Sequence, residues 1–125
     1  MNTDGRRDRM KAIDLSKIRS CEHGRYMTSV LFEQGTVKVR RIELAAEARI
    51  PPYRMQEDVV FVVIEGRVAF RTEDEECVVN APGAVFIQGG ATTRSMEADE
   101  ASLVLAELCR HEAAGPAKER PKGET

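Results

Sequence analysis

Ile50-Pro51-Pro52-Tyr53-Arg54-Met55-Gln56-Glu57-Asp58-Val59-Val60-Phe61-Val62-Val63-Ile64-Glu65-Gly66-Arg67-Val68 is the stretch on which the fold turns. Val59 to Ile64 is an unbroken β-branched and aromatic run, which predicts a strand buried on both faces. Gly66 then offers the backbone freedom for a tight turn into Arg67-Val68-Ala69-Phe70-Arg71, so the two segments together predict a hairpin. The run is far shorter than the roughly 20 apolar residues a membrane helix needs, which makes it a core strand rather than a membrane span.

The segments on either side carry the same β signal. Tyr26 to Phe32 is a mixed apolar run closed by Gln34-Gly35. Thr36 to Leu44 alternates with period two, placing Val37, Val39 and Arg41 on one face and Lys38, Arg40, Ile42 and Leu44 on the other. Acidic Glu73-Asp74-Glu75-Glu76 makes a turn before Cys77-Val78-Val79, and Asn80-Ala81-Pro82-Gly83 turns the chain into Ala84-Val85-Phe86-Ile87. Gly89-Gly90 ends that strand, and Ser102 to Leu108 is the last run. About eight or more antiparallel strands are expected, with no helical stripe beyond a turn near Met10 to Ile13. The class is all-β, a sandwich or barrel.

With 125 residues, 42% of them hydrophobic, the length suits one domain. It divides into a polar, partly flexible N-terminal arm (1–14), a barrel (15–110) and a flexible C-terminal tail (111–125). Nineteen basic and 21 acidic residues give a formal charge of -2. No global field therefore recruits nucleic acid or an anionic membrane, and neither partner is expected. The basic N-terminus has no apolar stretch behind it, so no secretory signal is read. Three cysteines do not suggest a disulfide framework, and a cytoplasmic setting follows.

The opening stretch resembles the first signature segment of the cupin family. There, His-x-His is followed by a Glu and by a strand ending in Glu-Gly. Here Tyr53 and Met55 stand at the histidine positions and Val59 at the Glu, while Glu65-Gly66 keep the pattern. Ala46 to Pro52 looks like the approach to that motif, with Glu47 in place of the usual glycine. Ala81-Pro82-Gly83-Ala84-Val85-Phe86-Ile87-Gln88-Gly89-Gly90 resembles the second motif, with Gln88 where a proline is usual. The third histidine falls on Thr93 or Arg94. The resemblance spans roughly residues 25 to 108 and implies a double-stranded β-helix, the cupin jelly-roll barrel, usually found as a homodimer.

It also implies a metal site that this chain does not keep. Iron, manganese, nickel or zinc in a cupin needs imidazoles and a carboxylate converging on one cation, and none of the four positions retains its ligand. No cofactor is therefore expected in the usual site. Tyr53 with a pKa near 10 is a poor phenolate donor at neutral pH. Tyr53 and Met55 then line and fill the barrel. A shifted register could recruit Glu57 or His23. Both histidines also occur as Cys-x-His, in Cys21-Glu22-His23 and Cys109-Arg110-His111, and these four side chains would make a tetrahedral zinc clip if the ends of the domain met. Coincidence explains the same pairs, because the spacing lacks the usual Cys-x2-Cys turn.

The remaining candidate is a metal-free pocket. In the cupin register Tyr53, Met55, Val59, Phe61 and Val63 point inward, with Thr93 or Arg94, Arg40 and Gln88 near the mouth. That lining is mostly apolar with a few polar groups, as small-molecule sites are. An arginine there favours a carboxylate or phosphate, although each arginine could instead pair with surface carboxylates. Acid/base chemistry would rest on Tyr53 with Glu57 or Asp58, a run that also reads as a solvated turn. The reading taken forward is a metal-free small-molecule-binding or accessory cupin with a small, anionic ligand. The alternatives are a cupin enzyme, either a cofactor-independent isomerase or cyclase built on Tyr53 or a metal-dependent dioxygenase with non-standard ligands, and a structural homodimer whose barrel Met55 and Phe61 close; zinc or iron is the cofactor left open.

Overall fold

The computed structural model describes residues 10–15, 21–90 and 92–109. Nine strands form: β1 (Tyr26–Gln34), β2 (Val37–Leu44), β3 (Ala48–Arg54), β4 (Asp58–Glu65), β5 (Arg67–Thr72), β6 (Glu76–Asn80), β7 (Gly83–Ile87), β8 (Thr93–Ala98) and β9 (Ser102–Cys109). They pair antiparallel in a five-stranded sheet, β1-β2-β9-β4-β7, and a four-stranded sheet, β3-β8-β5-β6. The two sheets face each other as a jelly-roll sandwich, the all-β architecture that the sequence implies. No helix occurs among the described residues, and none there is long and apolar enough to cross a membrane. Residues 1–9 and the tail 111–125 lie outside the described residues.

The deciding stretch departs from expectation in two ways. β4 and β5 do not form a hairpin: β4 pairs with β7 and β9, whereas β5 pairs with β6 and β8 in the other sheet. Both edges of β4 are taken by other strands, so the chain must cross between sheets at Gly66. That residue has a positive φ of 88°, and a side chain there would collide with Ser102 and the Ala101 carbonyl. β4 is also not equally buried on its two faces. Val59, Phe61 and Val63 are buried, whereas Val60, Val62 and Ile64 are only half-buried, because the first set faces the opposite sheet and the second lies on the outside of the sandwich.

Two strands escape the sequence reading, β3 and β8. They pair with each other, and both are disguised: β3 carries Pro51-Pro52, where its register with β8 is interrupted between Ile50 and Tyr53, and β8 places an arginine in an inward position. The core lies between the sheets and includes Leu44, Phe61, Val63, Val68, Phe70 and Val104. Phe61 and Phe70 meet across it with ring centroids 5.0 Å apart. At one end of the sandwich, Ser102 Oγ accepts from the Arg67 N–H at 3.1 Å and donates to the Glu100 carbonyl at 2.8 Å. Glu47, where the resemblance expects glycine, adopts the left-handed φ of 71° that favours one. At the other end, the Gly89 N–H donates to Asp58 Oδ1 and the Gly90 N–H to the Met55 carbonyl, both at 2.9 Å. These bonds fix the loops that frame the barrel mouth.

Candidate functional site

The edge strands β1 and β3 come from opposite sheets and bound one side of the sandwich. Behind that seam lies a cavity of about 330 Å³, lined among others by Tyr26, Thr28, Arg40, Tyr53, Met55 and Phe61. Alternation explains the lining. On β2 the inward positions are Arg40, Ile42 and Leu44, with Ile42 and Leu44 buried, and on β4 they are Val59, Phe61 and Val63. Five of the anticipated residues, Tyr53, Met55, Val59, Phe61 and Arg40, thus share one cavity. Val63 sits deeper, fully buried in the core.

β8 settles where its own side chains go. Arg94, Met96 and Ala98 are buried and face the core, whereas Thr93, Ser95 and Glu97 are half-buried. Arg94 lies directly across from Tyr53 on β3. Thr93 sits at the strand end, with its N–H 3.3 Å from a Glu73 carboxylate oxygen. Gln88 is exposed and lines a separate depression at the opposite seam, together with Asp74, Glu75, Glu76 and Cys77. Tyr26 and Thr28, two residues apart on β1, also line the cavity and were not singled out in the sequence. Their shared face would have revealed them once β1 was known to border β3.

The Cys-x-His pairs are not brought together. Cys21 Sγ lies 4.0 Å from the Glu43 carbonyl, and Glu43 pairs with Leu103 near the start of β9. Cys109 ends that strand, opposite Val37 and Asp58, about 20 Å away at roughly 3.3 Å per residue. His111 lies outside the described residues. Among the described residues no three His, Cys, Asp or Glu side chains group as a metal would need, and all three cysteines are free.

Charge is what sets the cavity apart. Arg94 is 1% exposed, the largest fully buried side chain of the domain's described residues. Its Nη2 donates to the Glu57 carbonyl at 3.1 Å, while Nε and Nη1 are buried without a hydrogen-bond partner. Its Cζ stands 6.0 Å from the centroid of the Tyr53 ring, so it neighbours a residue of the cavity wall without itself lining the cavity. Arg40 contributes a second guanidinium whose Nε is likewise buried and unpartnered. Burial raises the Tyr53 hydroxyl above its ordinary pKa of 10.0; the charges of Arg94 and Arg40 oppose that shift, and Tyr26 adds to it. Tyr53 is therefore a neutral phenol at pH 7, able to donate a hydrogen bond.

At the positions where a cupin holds its metal, this chain presents Tyr53, Met55, Val59 and inward-facing Arg94. A guanidinium keeps its charge at any physiological pH and offers no lone pair, and the neutral phenol and thioether are weak ligands. That set does not fit a divalent cation. It suits an anion, because a buried cation with open hydrogen-bond donors is costly until an opposite charge meets it. Asp58 and Glu57 lie outside the lining, the Asp58 carboxylate accepting from the Gly89 N–H and the Glu57 carbonyl from Arg94.

No family model matches the sequence, and no curated protein matches it. Solved structures do. A cupin superfamily protein from Desulfitobacterium hafniense superposes with a TM-score of 0.71 at 8% identity, over 83% of this chain and 94% of its own. An RmlC-like cupin protein from Desulfovibrio desulfuricans gives 0.71 at 18%, over 80% and 96%. A conserved protein of unknown function from Streptococcus pyogenes gives 0.68 at 16%, over 85% and 100%. At these identities the likeness establishes the fold.

Proposed function

We propose that this chain, a cupin-fold domain, is a metal-free binding module that holds a small organic anion in the cavity behind β1 and β3. The observation that carries this reading is a cavity lined mainly by apolar groups, with the partly unpartnered guanidinium of Arg40 in its wall and that of Arg94 buried next to its Tyr53. Tyr53 adds a hydrogen-bond donor. Aliphatic and aromatic walls accept the carbon skeleton, while the guanidinium groups select carboxylate or phosphate over neutral molecules of the same shape. Among the described lining residues there is no carboxylate to act as a base beside Tyr53, which favours binding over the isomerase or cyclase alternative.

The same reading includes a cytoplasmic homodimer. The three free thiols fit a reducing compartment. Phe86, 58% exposed on the outer face of β7, is one apolar side chain that a second copy would cover. Native mass spectrometry of the protein as isolated, with elemental analysis of the same sample, tests the whole reading. We expect a metal-free dimer that retains an acidic small molecule, lost on Arg40→Met. Near-stoichiometric metal would overturn it, as would an adduct that persists in both Arg40→Met and Arg94→Met.

A further inference from the structure

One row of residues crosses three strands on the cavity side of the five-stranded sheet. Arg40 on β2 pairs with Ala106 on β9, and Ala106 pairs with Phe61 on β4. All three line the cavity. On the inner face of β9, Val104 and Leu108 flank Ala106, so the smallest of these side chains stands between a guanidinium and a phenyl ring. Neighbouring strands lie about 4.8 Å apart, which sets the Arg40 and Phe61 backbones roughly 10 Å from each other. The hollow over Ala106 is therefore cationic at one end and aromatic at the other. Among the described lining residues Arg40 is the one cation. Its Nε is buried without a hydrogen-bond partner, and no ion pair compensates it among the described residues. Both tyrosines of the chain, Tyr26 and Tyr53, line the same cavity.

From this row we infer that the ligand is a one-ring aromatic monocarboxylate, its carboxylate paired with Arg40 and its ring over Ala106 against Phe61. Ala106 is then the residue that sets ligand size. This rests on the anion-binding reading and deepens it. One lining cation calls for one negative charge, and a guanidinium meets a carboxylate through two parallel hydrogen bonds. A flat ring gains edge-on or offset contacts with Phe61 and the two phenols that a saturated ring of the same size does not. The cavity of about 330 Å³ lies at the lower end of the range of small-molecule sites, about 300–1,000 Å³, which suits a single ring.

Titration of the full chain with benzoate, phenylacetate and 3-phenylpropionate tests this by calorimetry and by tyrosine emission. The comparison probes are acetate, cyclohexylacetate, phenylacetamide and phenyl phosphate. The chain has no tryptophan, so its tyrosine emission reports on the cavity wall. The best aryl carboxylate is expected to bind at least about tenfold more tightly than acetate, through the buried ring, and phenylacetate at least about tenfold more tightly than its amide, through the charge. Arg40→Met should remove the preference of phenylacetate over its amide. Ala106→Leu should weaken the aryl carboxylates at least about tenfold by filling the hollow, with Ala106→Val intermediate. Circular dichroism checks that each variant is folded, and the native-chain series decides alone where one is not. Equal binding of phenylacetate and its amide would overturn this inference and the anion reading together. Acetate as tight as every aryl carboxylate, or folded Ala106 variants without effect, would overturn the ring position while leaving a simple anion module standing. Cyclohexylacetate as tight as phenylacetate would overturn the aromatic class, and preference for phenyl phosphate over every carboxylate would overturn the carboxylate. Binding of none of these probes would overturn the inference outright.

Discussion

On the outer face of the four-stranded sheet, Arg71 of β5 lies between two carboxylates, Glu97 Oε1 at 2.6 Å and Glu76 Oε2 at 3.2 Å, in a position 43% exposed. On the inner face of the adjacent strand, Arg94 is 1% exposed, and its described polar contact is a single carbonyl. The two arginines belong to neighbouring rows of one sheet, since Arg71 pairs with Ser95 and Thr72 with Arg94. Outside, water and carboxylates satisfy the charge, so the pairing adds little. Inside, neither is available, and two of the guanidinium nitrogens stay without partners. Sidedness, more than residue type, separates the solvated charge from the incompletely satisfied one.

The largest effect expected on either face concerns packing. Phe70 is 2% exposed and stacks obliquely on Phe61, so Phe70→Ala should lower stability by about 3–5 kcal/mol in urea denaturation. A loss under about 1 kcal/mol would mean that the inner face is not the core. Next comes the comparison itself. In protein freed of ligand, Arg94→Met should raise stability by about 1–3 kcal/mol, because a thioether replaces an incompletely compensated buried charge. Destabilisation would show instead that the bond to the Glu57 carbonyl is the reason for the arginine.

The smallest effects lie in the pH profile, and the faces should differ in sign. The hydrogen bond from Arg71 holds Glu97 below its ordinary 4.5. That contribution is present above 4.5 and fades as pH falls through the lowered folded value; exposure and salt keep it small. Arg71→Ala should flatten this acid limb. Tyr53, raised above 10.0 mainly by burial, contributes stability that is intact below 10.0 and declines as pH rises beyond it. Tyr53→Phe should remove the alkaline limb. Thermal melts of the native chain and both variants across acid and alkaline pH would expose an identical response, which would break the distinction between faces.

The sequence by itself determined the all-β class and most strand positions, because alternation and turn residues act within a few positions of the chain; the inward set Val59, Phe61 and Val63 came from the register of the cupin resemblance, since the apolar run alone read as buried on both faces. It also placed Arg40 and Ile42 on one face of β2. Tertiary structure alone decided the partners of β4 and β5, which look like a hairpin until both edges of β4 are found occupied. It alone revealed β3 and β8 as a pair, since prolines and an inward arginine hide their pattern. Whether Thr93 or Arg94 faced the interior was likewise open in the sequence, because one residue of register reverses every side chain of a strand. Register is fixed by contacts between residues far apart in the chain, Tyr53 with Arg94 and Thr72 with Arg94. Local spacing cannot encode those distances, and the burial of Arg94 depends on them.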